Sequence, residues 1–196
     1  MTAQDVRVRI GPSPTGDPHV GTAYIALFNY VFAKKHGGRF VLRVEDTDQV
    51  RSKPAWEDML VEAMHWLGLD FDESPEKGGD YGPYRQSERG AIYREHTEEL
   101  LTNGTAYKCF CTSERLDELR RQKAQEKAPP GYDGHCRRLS PEEIQSQIDA
   151  GDPYVVRLKV PHEGQTIVND RLRGEVVFEN TQVDDQVLMK SDGMPT

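Results

Sequence analysis

The 196-residue sequence predicts an α/β protein built on a doubly wound parallel sheet. Residues 6–10 alternate apolar and basic side chains, as a half-buried strand does. Apolar residues at helical spacing follow over about 22–36, and a second alternating stretch covers 39–45. A strand, a crossover helix and a parallel strand form the basic doubly wound unit. We therefore expect the two strand ends to lie together, at the sheet edge where ligands bind.

The loop between the first strand and the helix has the composition of a preorganised ligand loop. Prolines stiffen it and glycines bend it, so its backbone follows one path. The helix start beside His19 and Gly21 offers free N–H groups and the positive end of the helix dipole. We expect phosphate to bind there, with His19 donating a hydrogen bond. The helix is apolar on two neighbouring stripes, which predicts that it is largely buried.

Charged residues end both predicted strands, Arg9 the first and Glu45 the second. The Arg9 guanidinium could bind the carboxylate of an amino acid bidentately, while the Glu45 carboxylate bound the ammonium group of the same amino acid. The two could equally form a structural ion pair, and spacing alone does not decide. Asp46 and Asp48 could be Mg²⁺ ligands, but acidic residues after a strand usually cap a helix or close a turn, and we favour that interpretation.

The rest of the first half predicts a helix from about Pro54 to Gly68, whose apolar residues, Trp56 included, we assign to the core. A loop over 69–83 and a helix over 84–102 follow. We expect residues 105–110 to add a further strand to the same sheet.

The organisation changes after residue 111. A polar helix is predicted over 114–126, and a capping box, Ser140-Pro-Glu-Glu143, starts another short helix. Short strands within 154–190 complete a small mixed α+β unit.

Three cysteines, Cys109, Cys111 and Cys136, lie near Tyr132 and His135. Thiolates in tetrahedral geometry are typical ligands of structural Zn²⁺, and either Tyr132 or His135 could be the fourth ligand. Three unrelated thiols are the alternative. An odd number of cysteines does not favour a disulfide framework.

The chain is acidic, with 25 Lys and Arg against 33 Asp and Glu and a net charge of −8. This balance argues against general coating of nucleic acid, although two short basic clusters, 120–123 and 137–138, could be local RNA contacts or solvated surface. No apolar run approaches the ~20 residues of a membrane span, and the N-terminus lacks the apolar region of a signal peptide. We expect a cytoplasmic protein.

The loop sequence Arg9-Ile-Gly-Pro-Ser-Pro-Thr-Gly-Asp-Pro-His-Val-Gly-Thr22 resembles the first signature of the class I aminoacyl-tRNA synthetases, in the form carried by bacterial glutamyl-tRNA synthetases. The resemblance continues to the end of the chain, through residues 23–29, 43–48, 82–89, 132–136 and 190–196. It implies the N-terminal half of a Rossmann-type catalytic domain at 1–111, a zinc-containing insertion that binds the tRNA acceptor end at 112–190, and the start of a return to the catalytic sheet at 191–196.

The implied activity is that of a glutamate–tRNA ligase, which activates L-glutamate with ATP and Mg²⁺ and transfers it to tRNA(Glu). The family's matching residues are, for catalysis, His19, Gly21 and Thr22; for glutamate, Arg9, Gly11, Ser13 and Glu45; for ATP, Pro12, Thr15, Gly16, His19 and Gly21; and for zinc, Cys109, Cys111, Tyr132 and Cys136. Where some relatives place a zinc-binding histidine, this chain has Arg138.

The resemblance also implies that the chain is an N-terminal fragment, monomeric and inactive by itself, because the second catalytic half and the anticodon-binding domains would follow residue 196. Two alternatives remain: a glutamyl-queuosine tRNA ligase, which shares these motifs, and a non-catalytic, zinc-containing RNA-binding module.

Overall fold

A computed structural model describes residues 6–196. The chain forms two compact units, the first ending at Ile92 and the second beginning at Tyr93.

The first unit is a parallel α/β layer. Its elements are β1 (Arg7–Ile10), α1 (Val20–Lys35), β2 (Arg39–Leu42), α2 (Pro54–Trp66) and the first turn of α3 (Gly90–Thr102). Strands β1 and β2 pair in parallel, with Ile10 opposite Leu42. Glu73 and Arg85 extend the pairing by single parallel bridges, Glu73 with Val41 and Arg85 with Val44. The predicted strand–helix–strand unit is therefore confirmed.

The alternation in β1 sorts its side chains as predicted. Val6 and Ile10 are buried, whereas Arg7 and Arg9 face away from the core. The core of the unit joins β1, both helices and β2, and consists of Ile10, Ala26, Ala33, Phe40, Leu42, Val44, Leu60, Met64, Leu69 and Phe71.

Helix α1 is not largely buried, and that expectation is wrong. Only Ala26 and Ala33 of this helix are buried. One side of it, here named the α1 stripe, is between 48% and 85% exposed and consists of Val20, Tyr24, Leu27, Phe28 and Val31. The reason is that α1 is apolar around most of its circumference, while within residues 6–196 only its alanine side packs on the sheet.

The second unit contains two antiparallel sheets and two further helices. Its elements are the rest of α3, β3 (Ala106–Cys109), α4 (Ser113–Gln125), α5 (Pro141–Asp149), β4 (Val155–Leu158), β5 (Gln165–Asp170), β6 (Gly174–Glu179) and β7 (Val187–Met189). Strands β3, β4 and β7 form one sheet in that order, and β5 and β6 form a hairpin.

Strand β3 forms where the sequence predicts it but does not join the parallel sheet. It pairs antiparallel with β4, so that Ala106 lies opposite Leu158. The expectation that β3 joins the parallel sheet is wrong. The hydrophobic pattern of a strand shows which of its faces is buried but does not show which strand pairs with it. The capping box of α5 is confirmed, with both hydrogen bonds between Ser140 and Glu143 present.

The basic residues of α4 behave as a solvated helix face. Arg120 pairs with Asp117 and Arg121 with Glu118, each one turn earlier on the helix. Within the described part of the chain, no helix is long and apolar enough to cross a membrane.

Candidate functional site

The loop after β1 lines a cavity of about 560 Å³, here named the loop cavity. Residues 10–19 with Gly21 and Thr22 form one part of its wall, and Ile25, Trp56 and Leu60 form the other. All residues predicted for ATP lie in this wall, as do Gly11, Ser13 and Thr22. A largely apolar cavity of this size with a few polar groups is typical of a small-molecule site.

Backbone hydrogen bonds hold the loop in its path. The N–H of Glu45 donates to the carbonyl of Pro12 at 2.9 Å, and that of Lys53 donates to Pro14 at 3.1 Å. Pro14 itself is buried. The loop is therefore fixed to the end of β2 and to the start of α2, as a preorganised site requires.

His19 caps helix α1. Its Nδ1 accepts a hydrogen bond from the N–H of Gly21 at 3.1 Å, and its carbonyl accepts one from Thr22 at 2.9 Å. The expectation that the N–H groups at the helix start are free is therefore wrong for Gly21 and Thr22. A neutral imidazole that accepts at Nδ1 carries its proton on Nε2. The exposed His19 ring thus presents one N–H donor at the positive end of the helix.

Arg9 and Glu45 form an ion pair at the predicted strand ends. Arg9 Nη1 lies 2.7 Å from Glu45 Oε1, and Arg43 Nη2 donates to the same oxygen at 3.2 Å. The pair lies directly over Gly11, where a Cβ would collide with the Arg9 guanidinium and the Glu45 carboxylate. Gly11 itself lines the loop cavity, whereas Arg9 lines a second, smaller cavity.

A smaller cavity of about 180 Å³ lies along the polar side of β1 and β2, and arginines and tyrosines line it. Arg7 donates two hydrogen bonds of 2.5 Å to Glu73, which also accepts one from the Tyr84 hydroxyl. The Arg7 hydrogen bond lowers the pKa of Glu73, although burial opposes it. Burial and the bond to Glu73 raise the pKa of Tyr84. Arg7 is therefore neutralised within the protein.

The two aspartates after β2 have structural partners. Asp46 accepts hydrogen bonds from the N–H and hydroxyl of Ser87, at 2.9 and 2.6 Å. Asp48 accepts from the backbone and Nε of Arg51, at 3.1 and 2.6 Å. The interpretation is confirmed for Asp48, which closes a turn. It is wrong for Asp46, whose partner Ser87 lies 41 residues further along the chain and not at the start of the next helix.

The three cysteines converge in the second unit. Cys109, Cys111 and Cys136 have Sγ atoms within 4.8 Å of one another, and those of Cys111 and Cys136 are 3.5 Å apart. The pKa of Cys109 is lowered to about 4, mainly by a hydrogen bond with the Cys136 thiol and also by interactions with Tyr132 and Arg157, although burial opposes these effects.

Tyr132 completes a four-cornered arrangement with these thiols, here named the cysteine cluster. Its hydroxyl oxygen lies 3.4 Å from Cys109 Sγ and 3.3 Å from Cys111 Sγ. Tetrahedral Zn²⁺ with bonds of about 2.3 Å to sulfur separates its ligands by roughly 3.8 Å, so the cluster fits such an ion after small movements. His135 is exposed and lies outside this group. Of the two residues considered, Tyr132 therefore lies against the thiols and His135 does not.

Comparison with known proteins decides the family. Residues 5–196 match the sequence profile described as "tRNA synthetases class I (E and Q), catalytic domain". The chain belongs to this class I synthetase family. The α/β fold predicted from the sequence is that of the family's catalytic domain.

Relatives within this synthetase family are similar along nearly the whole chain. A glutamate–tRNA ligase from Fusobacterium nucleatum is 59% identical over 97% of the chain and 38% of its own length. One from Rhizobium meliloti is 55% identical over 100% of the chain and 40% of its own length. The chain thus spans about two fifths of the length of these relatives.

Solved structures of the same family agree with the fold. A glutamate tRNA ligase from Elizabethkingia meningosepticum, in complex with its amino acid, matches with a TM-score of 0.90 and 42% identity, over 98% of this chain and 40% of that one. A glutamate-tRNA synthetase from Elizabethkingia anophelis matches with a TM-score of 0.91 at the same identity and coverage.

Three residues that line the loop cavity were not predicted from the sequence as site residues. Ile25, Trp56 and Leu60 line it, although their helical spacing predicts core positions; of the three, Leu60 also belongs to the buried core. Spacing identifies the apolar face of a helix but cannot distinguish core from cavity wall.

Proposed function

We propose that the chain contributes the glutamate- and ATP-binding part of a glutamate–tRNA ligase. The observation that carries the proposal is the Arg9–Glu45 pair, which lies over Gly11, a residue of the loop cavity wall. In the proposed reaction, a carboxylate oxygen of glutamate attacks the α-phosphorus of ATP and pyrophosphate leaves. A hydroxyl of the terminal adenosine of tRNA(Glu) then attacks the glutamyl carbonyl, and AMP leaves.

Glutamate binding would exchange one ion pair for two. The substrate brings carboxylate and ammonium groups of its own, so Arg9 can bind a carboxylate and Glu45 the ammonium group. Both side chains are partly exposed, at 41% and 31%, and are therefore accessible. Ser13, in the loop beside them, would add a hydroxyl contact.

ATP would occupy the loop cavity. Pro12, Thr15, Gly16 and Gly21 would contact it, and Thr22 belongs to the same helix start. The Nε2–H of His19 would stabilise charge that develops on the phosphates, which is electrostatic stabilisation and not proton transfer. Mg²⁺ would bind with the ATP phosphates. We expect the protein to act as a cytoplasmic monomer.

The first test is calorimetric titration of the chain with a non-hydrolysable glutamyl-adenylate analogue, with the glutaminyl analogue as the matched control. The proposal predicts binding of the glutamyl analogue and at least tenfold weaker binding of the glutaminyl one. A folded chain that bound neither would contradict the proposal, and RNA binding by that chain would favour the non-catalytic module instead.

The second test separates the two roles of His19. Asparagine is a good N-cap, so His19→Asn should keep the stability of α1, whereas His19→Ala should lose about 0.5–2 kcal/mol. Both variants lack the Nε2–H donor and should bind ATP several-fold more weakly, as measured by calorimetry. ATP affinity at the wild-type level in His19→Asn would remove His19 from the ATP site.

For the cysteine cluster we propose a structural Zn²⁺ held by Cys109, Cys111, Cys136 and Tyr132. The bound ion would fix β3 to the segment around Cys136, which contributes to folding because the unfolded chain has no preformed site. Such a centre fits the insertion that would bind the tRNA acceptor end. Zinc content measured on the purified chain tests this proposal.

A further inference from the structure

Arg157 is a buried cation that has no carboxylate partner among residues 6–196. It lies on β4, and only 7% of its surface is exposed. Its Nη1 donates to the backbone carbonyl of Asp185 at 2.8 Å, and its buried Nε has no acceptor. A buried charge is costly unless an opposite charge lies close to it. Since no carboxylate of the described residues pairs with Arg157, another anionic group must compensate its charge.

The two consecutive aspartates of this region are engaged with other groups. Both carboxylate oxygens of Asp185 lie 3.0 Å from Nη1 of Arg137, and one of them accepts the Tyr107 hydroxyl at 2.7 Å. The Asp184 carboxylate accepts the backbone N–H of Tyr132 at 3.0 Å. These bonds hold the segment that carries Tyr132 and neutralise Arg137, but leave the charge of Arg157 uncompensated.

Besides the backbone carbonyl of Asp185, Arg157 contacts groups of the cysteine cluster. Its guanidinium carbon lies 4.2 Å from the centre of the Tyr132 ring. It also interacts with the thiol of Cys109. Three thiolates around a zinc dication leave a net negative charge, which a phenolate would increase. This centre would be the buried anion that Arg157 lacks.

We propose that Arg157 is a positioning residue of the cysteine cluster, whose buried positive charge compensates the negative charge of the zinc centre and so raises its affinity for zinc. The inference rests on the zinc site proposed above. It assigns a role to a residue that is not a ligand, and it also accounts for a buried arginine at this position of β4. Residues outside the ligand set commonly change metal affinity by about 10–100-fold.

The test compares zinc affinities of the 196-residue chain by competition with a chromophoric chelator. Arg157→Met removes the charge at similar volume and should lower zinc affinity by about tenfold or more. Arg157→Lys keeps the charge but loses the planar contact with Tyr132. Its zinc affinity should stay within about threefold of that of the wild type. With Co²⁺ in place of zinc, the thiolate charge-transfer absorption should be retained in Arg157→Lys.

Arg7→Met is the matched control. Arg7 also stacks on a tyrosine, with its guanidinium carbon 4.0 Å from the centre of the Tyr81 ring, but it lies in the first unit and is paired with Glu73. Its replacement should lower stability and leave zinc affinity unchanged.

The outcomes separate the two proposals. A wild-type chain that bound no zinc would refute the metal site itself. Wild-type zinc affinity in a destabilised Arg157→Met variant would show a purely structural role and overturn the inference. If Arg157→Met does not fold, a tenfold loss of zinc affinity in folded Arg157→Lys would overturn it as well.

Discussion

Gly11 connects the charged pair to the loop cavity. The guanidinium of Arg9 and the carboxylate of Glu45 occupy the space that a Cβ at this position would need. The absence of a side chain therefore lets the pair lie flat against the loop backbone. This role differs from the contact with glutamate that the resemblance implies for the same glycine.

Gly11→Ala should force Arg9 and Glu45 apart. Because both groups are the partly exposed ends of flexible side chains, the unfolding free energy should fall by no more than about 1 kcal/mol. It should also abolish binding of the glutamyl-adenylate analogue. Gly16→Ala is the stability control, because a Cβ there meets nothing within 4 Å, and its unfolding free energy should change by less than about 1 kcal/mol. Denaturant unfolding measures the stability of both variants, and binding of the analogue at the wild-type level by Gly11→Ala would contradict this account of Gly11.

Residues connected by a recognisable sequence pattern were the most predictable part of the site. The strand–helix–strand pattern predicts that Arg9 and Glu45 meet, and their ion pair confirms it. The spacing of the cysteines predicts their cluster in the same way. Trp56 was not predictable as a cavity residue, since its position depends on how α2 packs against the loop.

At the scale of elements, strand β1 is tied to the segment around Glu73 by side chains as well as by the sheet. Arg7, at the start of β1, donates both its hydrogen bonds to Glu73, which Tyr84 also contacts. This network links parts of the chain more than sixty residues apart, and it depends on the ionised form of one carboxylate.

The stability of the first unit should therefore depend on pH through Glu73. The folded pKa lies below the ordinary value of 4.5. The unfolded state then binds the proton more readily, so the stabilisation is fully present above pH 4.5 and is lost as the pH falls through the folded pKa. Glu73→Gln should lose about 1–3 kcal/mol at neutral pH. Its urea midpoint should vary less than that of the wild type between about pH 5 and pH 3. An equal slope in both proteins would contradict the prediction.

Element type was more predictable than element environment. The pattern gave the correct positions for β3 and α1, but β3 joined a different sheet and α1 kept one side exposed. Both differences have one cause: hydrophobic periodicity describes a segment alone, whereas pairing and burial depend on surfaces contributed by distant residues.

At the scale of the whole chain, the two units have separate cores, and only the second contains the cysteine cluster. If zinc stabilises that unit, chelation should affect the two units differently. Hydrogen exchange followed by mass spectrometry, with and without a chelator, should show opening free energies that fall by several kcal/mol around residues 106–109, 132–139 and 155–158. Residues 6–92 should change by less than about 0.5 kcal/mol, and an equal change in both units would contradict the prediction.

The exposed α1 stripe affects the solubility of the chain. The net charge of −8 keeps copies apart at low ionic strength, but salt screens that repulsion. The attraction between exposed apolar side chains strengthens on warming from the cold. Salt and warmth together should therefore favour aggregation of the chain, whereas cold, dilute buffer should keep copies dispersed. The α1 stripe contributes to this behaviour as a contiguous apolar surface, which the average composition does not reveal.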